Sequence, residues 1–154
     1  MRVLEARGIA YETKTYDANG AFHSAADAAA LLGVDESAVF KTLVVLRDAS
    51  PRGKPLLVMA PATAPIDLKL LATSVGEKRL RMATQREAEK LTGMQAGGIS
   101  ALGLRKQSQF DIVIDESARA LNTVHVSAGL RGIDLAIHPD DLVAATNARY
   151  VRTF

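Results

Sequence analysis

Lys41 interrupts the apolar run Phe40-Lys41-Thr42-Leu43-Val44-Val45-Leu46, where strand alternation sets it on the face of Leu43 and Val45. Two chemistries account for a lysine there. Its stem can pack on apolar surface while the ammonium reaches water, or the cation can sit beside a pocket, pairing with a phosphate or carboxylate or orienting a substrate. A second chemical feature is Gln95-Ala96-Gly97-Gly98-Ile99-Ser100-Ala101-Leu102-Gly103. Two adjacent glycines let the main chain approach a ligand and adopt positive φ. The N–H groups of Gly97 and Gly98 can then bind an anion or an oxyanion, although the same pair also reads as a flexible turn. A third is the hairpin Asn122–Ser127 and Ile133–His138. Alternation opposes Thr123, His125 and Ser127 to Val124 and Val126, and Asp134 to Ile133 and Leu135, so Ser127 and Asp134 share a polar face near the turn.

Several chemistries are excluded. The chain has no cysteine, hence no disulfide, thiolate zinc site or cysteine nucleophile. His23, His125 and His138 have no metal-ligand spacing and read as surface or hairpin residues, so no metal and no cofactor are expected. Ser100, Ser127, His125 and Asp134 can be drawn as a triad, but no G-x-S-x-G elbow accompanies them. Asp115 and Glu116 point different ways and are expected to end a strand and solvate the next turn. Neither a phosphate-binding G-x-x-x-x-G-K-[ST] loop nor a G-x-G-x-x-G fingerprint occurs. Lys78, Arg79 and Arg81, and separately Arg105 and Lys106, either contact phosphates or form solvated faces. With aromatics at 5%, a base-stacking platform is not expected. A net charge of +2 and a pI near 9.0 suit a polyanionic partner and an ordinary enzyme equally.

The elements that must position these residues are legible. At 154 residues, 48% hydrophobic and 23% charged, the sequence fits one globular domain spanning 1–154, with no repeat or composition break. A short helix at 3–7 ends at Gly8, and a strand runs from Ile9 to Tyr16, stopped by Asn19-Gly20. Ser24 and Asp27 resemble a capping box for a helix over 24–33. The Lys41 strand and Leu56–Ala60 suggest an antiparallel pair across the loop 47–55. Asp67 caps a helix to Val75 before Gly76, and the Thr84–Glu87 capping box starts one that runs to Gly93 and feeds the glycine loop. Phe110–Ile114 is a strand, Pro139 opens a last helix to about Asn147, and Tyr150-Val151-Arg152 is a terminal strand. A charged, broken stretch after Met1 and short apolar runs point to a cytoplasmic protein without membrane association.

In combination these segments resemble the YbaK/EbsC family of aminoacyl-tRNA deacylases, related to the editing insertion domain of bacterial prolyl-tRNA synthetase. The similarity spans almost the whole chain. It rests on Thr15-Tyr16, Phe40-Lys41-Thr42-Leu43, Ile66-Asp67-Leu68-Lys69, Gly97-Gly98-Ile99-Ser100-Ala101-Leu102-Gly103, and Ser127-Ala128-Gly129-Leu130-Arg131-Gly132-Ile133-Asp134. The resemblance implies an α/β (α+β) fold: a mixed, strongly curved sheet or partial barrel flanked by helices. It implies a cytoplasmic enzyme that clears a wrong amino acid, most typically cysteine from tRNA(Pro). Its partners would be a mischarged tRNA acceptor end and, in some settings, prolyl-tRNA synthetase. By position, Lys41, Gly97 and Gly98 take the catalytic places, and Tyr16, Thr42, Ile99, Ser100, Ser127 and Asp134 take substrate-binding ones. The sequence departs from the family pattern at Ala101 (usually proline), Ala128 (glycine), Leu130 (lysine) and Ile66 (leucine). Alternative readings are an alanyl- or seryl-specific hydrolase of the same family, a non-catalytic module that holds a tRNA end or a synthetase surface, and an aminoacyl-ester hydrolase indifferent to RNA.

Overall fold

The computed structural model describes residues 2–15, 25–47, 53–130 and 132–154. Its elements run α1 (Arg2–Ala6), β1 (Glu12–Thr15), α2 (Ala25–Leu32), β2 (Phe40–Arg47), β3 (Leu56–Pro61), α3 (Leu68–Val75), β4 (Leu80–Met82), α4 (Gln85–Thr92), β5 (Asp111–Asp115), β6 (Val124–Ser127), β7 (Ile133–Ile137), α5 (Pro139–Thr146) and β8 (Arg149–Val151). The helix ends follow the sequence signals. Asp67 accepts from the N–H groups of Lys69 and Leu70, and Thr84 with Glu87 completes a reciprocal capping box. Gly76 and Gly93 close their helices in the left-handed conformation, which glycine adopts without a Cβ penalty. The expected capping box at Ser24 and the expected stop at Asn19-Gly20 lie outside the described residues.

Five strands form a mixed sheet in the order β4-β2-β3-β5-β8, and three form an antiparallel sheet in the order β1-β7-β6. β2 pairs antiparallel with β3 and β4, whereas β3, β5 and β8 are mutually parallel. A single parallel bridge from Val39 to His125 joins β6 to the start of β2. Among the described residues, the strand series therefore continues from β1 to β8 without closing on itself.

Alternation along the strands divides the interior in two. Val45, Leu56, Val58, Ala60 and Val113 point toward Leu71 and Ala72 of α3. Phe40, Val44, Leu57, Met59, Ile112 and Ile114 point to the other side, where they meet the apolar face of the small sheet and Leu142 and Ala145 of α5. β4 carries no sequence signal because only Leu80 of its three residues is buried.

Asp115 corrects an expectation. Instead of solvating a turn it is 2% exposed, and its carboxylate accepts from the Thr153 N–H (2.9 Å), the Thr153 hydroxyl (2.8 Å) and the Ser117 N–H (2.9 Å). Glu116 alone faces solvent. A buried acceptor of this kind leaves its donors orphaned when removed, which costs more than the net value of the bonds. Asp115→Ala is expected to lower unfolding free energy by about 3 kcal/mol, and Asp115→Asn, which keeps one acceptor oxygen, by roughly half as much. Urea denaturation of both variants measures this; equal stability of Asp115→Ala and wild type would contradict it.

Candidate active site

Residues opposed in adjacent strands present their side chains on the same face. In the small sheet, Ser127 opposes Asp134, which opposes Lys14; His125 opposes Ala136, which opposes Glu12. One face of this sheet is apolar (Val124, Val126, Leu135, Ile137) and buried in the core. The other is polar, and it is largely withdrawn from water as well, with His125 4% and Asp134 7% exposed. The bridge at Val39 extends this face onto the large sheet. Two residues beyond Val39 on β2 stands Lys41, and two residues beyond His125 on β6 stands Ser127. Lys41, Ser127 and Asp134 thus fall on one face of the joined sheets, in a row across β2, β6 and β7.

The environment shifts each ionisable group in this row. Burial pushes the Asp134 carboxyl up to about 6. Burial lowers the pKa of the Lys41 ammonium, which donates to the Ala64 carbonyl at 2.9 Å in the loop between β3 and α3. The His125 imidazole is held below its usual range first by burial and then by the nearby Lys14 cation, with Glu12 opposing. Its Nδ1 has no hydrogen-bond partner among the described residues. His125 thus lies on the hairpin, as expected, but buried there rather than at the surface. His138 instead caps α5 by accepting from the Asp140 N–H at 3.2 Å.

The glycine loop is built differently. The Gly98 N–H donates to the Gln95 carbonyl at 2.8 Å, and Gly97, at φ +86°, occupies the corner of that turn where a side chain would be strained. The Ala96 N–H donates to Glu89 of α4 at 2.8 Å. The Ser100 hydroxyl accepts from the Leu102 N–H at 3.1 Å and caps the short turn 101–103. Ile99, Ala101 and Leu102 bury in the core beside Phe40 and Val44, on the face of β2 opposite Lys41. Two expectations narrow as a result: the Gly98 amide is engaged within its own turn, and the side chains of Ile99 and Ser100 serve packing and capping. The Thr42 side chain also lies on the Phe40 face, with its hydroxyl buried and unpartnered among the described residues. Tyr16 and Arg131 lie outside the described residues, as does His23. Among the described residues, no three His, Asp or Glu side chains are grouped as a metal ion would require, and no helix is long and apolar enough to cross a membrane.

The family model for the aminoacyl-tRNA editing domain matches residues 20–145. The chain belongs to this family. The editing domain is 30% identical over 150 residues to a protein of Enterococcus faecalis named as a candidate Cys-tRNA(Pro)/Cys-tRNA(Cys) deacylase, EbsC, covering 97% of this chain and 88% of the relative. Among solved structures it resembles a hypothetical protein, APE2540, with a TM-score of 0.85 and 28% identity over 99% of this chain and 96% of the other. A candidate trans-editing enzyme for prolyl-tRNA synthetase superposes with a TM-score of 0.82 and 25% identity, over 99% and 92%. The mixed α/β architecture of the editing domain is thereby established.

In the editing domain the buried Asp134 carboxyl carries a desolvation cost, and pH reveals it. With a folded-state pKa near 6 and an ordinary unfolded one, Asp134 binds its proton more tightly when folded. Its unfavourable contribution is absent at pH below about 4, grows between about 4 and 6, and is fully present above 6. Asp134→Asn is therefore expected to match wild-type stability near pH 4 and to exceed it by about 2 kcal/mol at pH 8. Urea unfolding at both pH values checks the difference, and a variant less stable than wild type at pH 8 would reverse the sign.

Proposed function

We propose that this protein is a trans-editing aminoacyl-tRNA deacylase whose substrate is cysteine esterified to tRNA(Pro). Membership of the editing family supplies the activity class, and the relative named as a Cys-tRNA deacylase supports the choice of amino acid. The observation that carries the reading is the row Lys41–Ser127–Asp134 on a single sheet face, with Asp134 buried and Lys41 and Ser127 half-buried.

An aminoacyl ester is already activated, so the site needs to orient it and stabilise the developing oxyanion. With no cysteine in the chain, the sulfur nucleophile is the substrate's own thiol. Its sulfur attacks the ester carbonyl, the carbon–oxygen bond to the ribose breaks, the thiol proton passes to the departing ribose oxygen, and a cyclic thiolactone is released. Asp134, whose proton is held up to about pH 6 in the empty site, is secured as an anion when the substrate's α-ammonium arrives, because an opposite charge favours its ionised form. Ser127 holds a terminal ribose hydroxyl. Lys41 leaves the Ala64 carbonyl for the substrate ester or the last phosphate. The glycine loop, anchored through Ile99 and Leu102 on the Phe40 face of β2 together with Thr42, supports the lysine strand from behind rather than lining the row. One editing domain spanning 1–154 carries the whole reaction in the cytoplasm, with prolyl-tRNA synthetase as a partner that shares the tRNA.

A panel of tRNAs mischarged with cysteine, alanine and serine tests this. Cysteinyl-tRNA(Pro) is expected to be cleared fastest, and Lys41→Ala is expected to lose about a hundredfold in kcat/KM. Alkylating the substrate thiol should stop turnover. Rapid hydrolysis of the alkylated ester would instead indicate attack by water or the vicinal hydroxyl. Undiminished activity in both Lys41→Ala and Asp134→Asn would remove the row from the mechanism.

A further inference from the structure

Immediately beyond the glycine loop lies a groove of about 380 Å³ with an unusual charge pattern. Its two walls are the segments flanking the loop: Lys90 to Met94 at the end of α4, and Gly103 to Lys106 after the short turn. Among the described residues, every ionisable side chain lining it is a cation: Lys90, Arg105 and Lys106. All three are exposed, and none is paired with a carboxylate among the described residues. The neighbouring acids are committed elsewhere, since Glu87 forms a bidentate pair with Arg81 and Glu89 accepts from the Ala96 N–H. Met94 and Leu104 supply an apolar lining between the charges.

Unpaired cations repel one another, and a groove that gathers three of them without a counter-charge is suited to a polyanion. We infer that this groove binds the phosphate backbone of the RNA substrate near its aminoacylated end. The inference rests on the proposed deacylase reading for the identity of the polyanion. It also separates the two basic groups of the sequence: Arg81 is occupied by Glu87, whereas Arg105 and Lys106 converge with Lys90, a residue far from them in sequence. The groove is lined by the segments that flank the loop, so a backbone held here runs alongside it. Such contacts fix register and carry affinity without reading bases.

The triple variant Lys90→Ala/Arg105→Ala/Lys106→Ala tests it, with Lys78→Ala/Arg79→Ala, two exposed cations that do not line the groove, as the control for general charge loss. Binding of uncharged tRNA(Pro) is measured by fluorescence anisotropy across a salt series. Turnover is measured on cysteinyl-tRNA(Pro) and on the terminal 3′-cysteinyl-adenosine alone. Groove binding predicts a loss of about tenfold or more in tRNA affinity for the triple variant, with the slope of log affinity against log salt shallower by about two. It also predicts a raised KM for the charged tRNA and unchanged turnover of the adenosine ester. Unchanged tRNA affinity, or an equal loss in the control, overturns the inference. If wild type deacylates neither ester, the proposed function fails instead, and the anisotropy series still decides the groove on its own.

Discussion

Everything proposed for the site depends on one backbone pairing, the parallel bridge between Val39 and His125. Neither sheet alone assembles the row, because Lys41 belongs to the large sheet and Ser127 and Asp134 belong to the small one. The bridge fixes the relative register of the two. Side chains alternate with a period of two, so a slip of one residue along β6 would turn His125 and Ser127 into the core and Val126 out of it. The depth of burial of Val124 and Val126 opposes that slip. The core packing therefore sets which polar groups meet, and the chemistry inherits the choice.

The row also shows where stability is given up. A two-sided sheet ordinarily turns its polar face to water, yet His125 and Asp134 are nearly as inaccessible as the valines behind them. Burial without a strong counter-charge raises the Asp134 pKa and leaves a ring nitrogen of His125 unpartnered among the described residues. Such groups are expensive to hold in an empty site. In the proposed reaction, a ligand that brings an ammonium and hydroxyl groups would relieve part of that cost, favouring substrates with those groups in the right places.

Much of this arrangement was legible in the sequence where the determinants are local. The caps at Asp67 and Thr84, the stops at Gly76 and Gly93, the antiparallel β2–β3 pair and the strict alternation of the second hairpin all follow from neighbours a few residues apart. The shared face of Ser127 and Asp134 came from that alternation. What the sequence concealed is non-local. Asp115 looked like a solvated strand end because the donors that bury it include Thr153, on the far side of α5 and β8. β4 is too short to display a period, and its partner β2 lies well upstream. Alternation separates Phe40 from Lys41 but cannot say which of the two faces the glycine loop packs against. The structure sends Ile99 and Leu102 to the Phe40 side.

The pairing of β1 with β7 has a consequence for how the molecule comes into being. β1 spans Glu12–Thr15 and β7 spans Ile133–Ile137, so the strand carrying Asp134 docks between a segment made early in synthesis and one made late. Contacts this distant along the chain close slowly, because loop entropy must be overcome before they return any energy. A growing chain on the ribosome exposes Lys41 and Gly97 before Asp134 has emerged. The polar row can therefore be completed only after β7 has emerged, and a copy cut short before β7 lacks Asp134 and the strand that carries it.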